Sequence, residues 1–131
     1  MLIPLVTALL MHPGRACAAD GGACRRLRQE RMRLAVMAME QEVALARRYR
    51  ERLCPALSAQ AELANARDGV YSPMDYAAWS ACRLKAERAL EASQPVLYHN
   101  RHRFAFYTLQ GAALARQADD LERQRQAGGC P

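Results

Sequence analysis

The sequence predicts an all-α fold, an up-down helical bundle of three to four helices. Two long antiparallel helices and a shorter helical pair are tied by two disulfides. Composition points there first: 26 of 131 residues are alanine, while glycine and proline together number 13. Alanine loses no side-chain entropy in a helix. Only 6% of residues are aromatic, and β-branched residues are few, which disfavours a sandwich or barrel. Long runs with 3-4 apolar spacing follow, and four of the five cysteines are spread along them. Hydrophobic residues at 51% and charged residues at 24% mark a folded chain of one domain's length.

Residues 1–18 are predicted to be a secretion signal, leaving a single helical domain over 19–131. Met1–Met11 is an uncharged apolar run, too short to span a bilayer as a helix. His12, Pro13, Gly14 and Arg15 break it, and Ala16-Cys17-Ala18 supplies the small-x-small pattern of a cleavage site. No Lys or Arg precedes the apolar run, so only the amino terminus is positive there. Gly14-Arg15-Ala16 disfavours lipid attachment at Cys17, the alternative fate of this segment. Cleavage after Ala18 leaves an even set, Cys24, Cys54, Cys82 and Cys130, as expected of a small exported domain with two disulfides. The predicted location is therefore periplasmic or secreted, with no membrane span once the signal is gone.

The first helical segment runs from about Ala23 to Leu53. Its apolar stripe is Met32, Val36, Met39, Val43, Ala46 and Leu53, a heptad seam. Cys54-Pro55 stops it, because proline disfavours helix in the preceding residue. A short second segment covers Ala56–Arg67 and ends at the glycine cap Asp68-Gly69. The third opens on Ser72-Pro73-Met74-Asp75, with Ser72 as N-cap and Pro73 where a missing N–H costs nothing. Trp79, Cys82, Ala86 and Ala89 are its buried stripe, running toward Ser93. The fourth is expected from just after Pro95 to about Ala127, with Leu97, Asn100, Phe104, Tyr107, Gly111, Leu114, Ala118 and Leu121 inward. The third and fourth could also form one helix kinked at Pro95.

Helix lengths bear on the disulfide pairing. A first helix roughly 45 Å long forbids Cys24–Cys54, whose α-carbons must lie within about 7 Å. An antiparallel fourth helix of similar length ends beside the start of the first, which pairs Cys24 with Cys130. The short pair turns back from the Cys54 end, descending about 18 Å and climbing about 14 Å before Cys82, which pairs Cys54 with Cys82. Cys24–Cys82 with Cys54–Cys130 is the alternative.

No residue pattern identifies an enzyme. There is no GxSxG, no glycine-rich phosphate loop, and no cysteine left over as a nucleophile once four are paired. Acids such as Glu40, Glu42, Glu87 and Glu91 are interspersed with arginine, as on solvated helix faces. No cofactor is implied. Cysteine spacings without CxxC do not suit a metal. His99 and His102, at i,i+3 on a helix, could share one but lack further ligands in sequence. Nucleic acid is not an expected partner, since aromatics do not interleave the arginines.

Charge supplies the one candidate surface. The formal charge is +6, and 18 of the 19 basic residues are arginine. Antiparallel long helices would bring Arg47, Arg48, Arg50 and Arg52 near His99, Arg101, His102 and Arg103. That is a basic pole for an acidic protein or an anionic surface polymer. The predicted function is a non-catalytic exported binding protein: an inhibitor, immunity factor, adaptor or small chaperone for another envelope or secreted protein. A metal-responsive or metal-carrying envelope protein using His99 and His102 is the alternative.

Overall fold

A computed structural model describes residues 21–57, 59–60 and 73–131. The signal segment, the Ser72 cap, the Asp68-Gly69 cap and most of the second predicted segment lie outside the described residues. Three long helices and a small hairpin organise the rest: α1 (Gly21–Leu53), α2 (Pro73–Ser93), β1 (Tyr98–His99), β2 (Ala105–Phe106) and α3 (Leu109–Ala127). Residues 55–57 and 59–60 are also helical. The all-α bundle is therefore present, with two disulfides in the pairing Cys24–Cys130 and Cys54–Cys82.

α1 is the spine. The Cys54 N–H bonds to the Arg50 carbonyl, and Pro55 ends the run there. α3 packs along the N-terminal part of α1 and α2 against its C-terminal part. Two core clusters result. Ala38, Phe106, Ala112 and Ala115 form one, with Leu97, Tyr98 and Leu114 around it. Leu45, Tyr49, Ala86 and Leu90 form the other, bordered by Leu53, Ala89 and Tyr107. The α2 stripe has the predicted phase: Cys82 and Ala86 are buried, Trp79 and Ala89 half-buried.

Two sequence expectations fail. Residues 94–108 do not open a long fourth helix; they form an antiparallel hairpin pairing Tyr98 with Phe106 and His99 with Ala105. Aromatic residues alternating at 104, 106 and 98 prefer a pleated, half-buried surface over a helix. The Asn100 side chain holds the turn, its Oδ1 accepting from the N–H groups of His102 (3.0 Å) and Phe104 (2.9 Å). Arg103 sits in the left-handed region at φ 64°, which costs a non-glycine residue about 1 kcal/mol.

The second failure concerns the α1 seam. Met32, Val36, Met39 and Val43 are exposed, at 52%, 56%, 39% and 49%. The buried face is instead Leu34, Ala38, Leu45 and Tyr49, on the other side of the helix. Small residues decide this: Ala38 packs with Ala112 and Ala115 of α3 and faces Gly111, and their lack of bulk lets the two backbones come close. A Cβ on Gly111 would lie 3.2 Å from the Ala38 carbonyl oxygen.

α3 is capped from two directions. Thr108 is its N-cap, its Oγ1 accepting from the Gly111 N–H at 2.9 Å. Glu42, on α1, reaches the same end. Its Oε1 accepts from the Thr108 N–H (3.1 Å) and hydroxyl (2.6 Å), and its Oε2 from the Tyr107 N–H (3.0 Å). A carboxylate there also complements the helix dipole. Glu42 is thus a buttress between helices rather than part of a solvated face. At the far end Gly129, at φ 69°, turns the chain so that Cys130 reaches Cys24.

Candidate functional site

The predicted basic pole is divided. The hairpin lies back along α3, docked by Phe106 in the core and by a set of polar contacts around Asp119 and Glu122. The Tyr98 hydroxyl donates to Asp119, whose Oδ2 also accepts from the Arg101 N–H at 3.1 Å. That bond to the carboxylate, with burial second, raises the Tyr98 pKa. The Arg101 guanidinium pairs with Glu122 at 2.7 Å. Glu122 also meets Arg125 (2.9 Å) and Arg31 of α1 (3.2 Å). Arg31 is sixteen residues, about 24 Å, from Arg47 along the helix. Arg101 therefore joins the acids of α3, near the Cys24–Cys130 end, rather than Arg47, Arg48, Arg50 and Arg52.

Those four arginines stay at the other end. Arg50 lies over the ring of half-buried Trp79 (5.5 Å) and Arg52 over the ring of buried Tyr49 (4.6 Å). Arg47 and Arg48 are exposed. His99 is exposed on β1, and His102 and Arg103 are exposed in the turn, so the histidines do not share a helical face. No group of three His, Cys, Asp or Glu able to hold a metal occurs among the described residues.

Glu122 is a buried carboxylate surrounded by three guanidiniums. Bonds from Arg125 first and Arg101 second lower its pKa to about 2, outweighing the opposing effect of burial. A depressed folded-state pKa stabilises the native protein above the ordinary carboxylate range and loses that contribution as pH falls toward 2. Between about pH 5 and pH 2 the loss should be roughly 2–3 kcal/mol. Urea unfolding across this range checks it: Glu122→Gln should show a correspondingly flatter dependence. Equal slopes for both proteins would place the acid sensitivity elsewhere.

The surface that periodicity did mark is the outer face of α1. Met32, Val36, Met39 and Val43 follow 4-3-4 spacing within roughly 60° of arc. Buried Leu34, Ala38, Leu45 and Tyr49 lie across the helix from them, so α1 is apolar on two faces and the bundle uses one. A small cavity touches the outer seam at Met39; Ala35 and Ala115 line it together with Arg31, Arg101, His102 and Asp119. The heptad spacing found these residues; it misassigned them to the interior because alanines do that packing. No helix among the described residues is long and apolar enough to cross a membrane. Comparison of the chain with known protein families, curated proteins and solved structures finds no match.

Proposed function

We propose that this chain is an exported, non-catalytic helical binding protein acting on another envelope or secreted protein, as an inhibitor, immunity factor, adaptor or small chaperone does. The unused apolar face of α1 carries the reading. Four large apolar side chains in register on one helix form an exposed patch of the kind that marks an interaction site. Two disulfides hold that helix at both ends, through Cys24 and Cys54, so the face is preorganised for binding. The disulfides also suit an oxidising compartment, and with the apolar segment before Ala19 they support export to the periplasm or beyond.

A photo-crosslinking residue at Val36, expressed in the producing cell, tests this. Val36 should capture a discrete protein, while the same probe at exposed Glu87 on α2 should not. The captured species should have an intact mass that begins at or near Ala19. Equal capture at both positions, or none at Val36, would remove the proposal.

A further inference from the structure

The seam has charged ends. Continuing along the same face, Arg25 and Arg28 precede Met32, while Arg47 and Arg50 follow Val43. Arg25, Arg28 and Arg47 are exposed; Arg50 is half-buried beside Trp79. The face therefore reads basic, apolar, basic over about 37 Å, with an apolar centre of about 16 Å.

Resting on the binding reading above, we propose that the occupant is an amphipathic helix of another protein, apolar over about three turns and acidic at both ends, lying along α1. Three considerations select it. The seam is narrow and heptad-spaced, as in helix-on-helix packing. A helix lying in a lipid surface relies on a large apolar face and a strongly charged opposite face, whereas this seam has the narrow a/d width of helix-on-helix packing. A second copy is opposed by charge: antiparallel pairing centred on the seam sets Arg25 against Arg50 and Arg28 against Arg47, and parallel pairing sets each arginine against itself. Acidic residues at both ends of the partner convert the same four cations into attraction. The cavity beside Met39 is lined by Arg31, Arg101 and Asp119 as well as by alanines, so it marks the edge of the seam and offers a polar contact there.

The probes are two synthetic helices of about 26 residues with leucine at the four central contact positions. One carries glutamate at the flanking contact positions and the other lysine. Using the protein as isolated from its producing cells, the glutamate helix should bind at least about tenfold more tightly than the lysine helix. Val36→Glu should weaken that binding about tenfold or more without moving the melting temperature, since Val36 is exposed. Arg25→Glu with Arg47→Glu should weaken it similarly and flatten its salt dependence.

Equal binding of both helices, or binding indifferent to Val36→Glu, overturns the inference. A dimer in sedimentation that Val36→Glu dissociates identifies a second copy instead. Uptake onto phosphatidylglycerol vesicles that the same change abolishes identifies lipid. Protection of Met32 and Met39 from peroxide in molecules retaining Met1 identifies the chain's own N-terminal segment. Each of these also overturns it. A protein crosslinked at Val36 in cells, alongside indifference to the flanking charge, leaves the proposed function standing while this inference falls.

Discussion

Replacing Cys24 and Cys130 together by alanine is expected to destabilise the protein by about 4–5 kcal/mol. The bridge joins residues 106 positions apart, with α-carbons 5.6 Å apart, so reduction frees nearly the whole described chain. In the chain-entropy description the penalty grows with the logarithm of loop length. Cys54–Cys82, with a separation of 28, should cost less, about 3–4 kcal/mol. Either value is a large fraction of a domain's total stability. Urea unfolding of the two double variants checks the ranking. A larger loss from Cys54→Ala/Cys82→Ala would mean that the α1–α2 pair depends on its bridge more than loop length accounts for.

Gly111→Leu should destabilise by about 3 kcal/mol despite leucine's better helix propensity. A Cβ at this position would stand 2.4 Å from Glu42 Oε1 and 2.5 Å from Thr108 Oγ1. Neither atom is a free side-chain end: both belong to the network that caps α3, so relieving the overlap breaks bonds to Thr108 and Gly111. Leucine then requires α3 to move off Ala38, whose carbonyl is already close. Lost capping, about 1 kcal/mol, adds to overpacking of about 1–3 kcal/mol. Gly111→Ala should show a smaller loss from the same cause. Thermal and urea denaturation of both variants decide it, and an unchanged or raised melting temperature for the leucine variant would contradict the close α1–α3 approach.

Much of the architecture was legible because local signals agreed. Cys54-Pro55, Pro73 and Gly128-Gly129 each punctuate the chain where a described helix ends or begins. The cysteine pairing was legible despite a faulty premise. α3 has 19 residues, not the length of α1, yet it still finishes beside Cys24 because it is antiparallel and begins midway along the spine at Glu42. The hairpin was obscured by Leu97, Asn100, Phe104 and Tyr107, which satisfy helical spacing by accident while their aromatic, turn-flanked setting favours strands. Misreading it misplaced Arg101, and the basic pole with it.

The α1 error has a different origin. Periodicity weighs side-chain bulk, whereas Ala38 and Ala115 contribute by allowing closeness. A helix with two apolar phases gives one period and two possible insides. The bulkier phase remained on the surface, where it became the candidate site.

The two core clusters lie on successive stretches of α1, each closed by its own disulfide. They share one helix, and Tyr107, where the hairpin gives way to α3, packs against the second. Cooperative opening can thus be confined to one side of Glu42: α3 with the hairpin, or α2 with its neighbour. Amide exchange is expected to show two foldons on a common rod rather than one, with α3 and α2 opening at different free energies. A single unfolding free energy would then average unlike parts. The outer seam, from Met32 to Val43, runs beside the first unit and up to the boundary, so a helix bound along it would splint the rod where the two units meet.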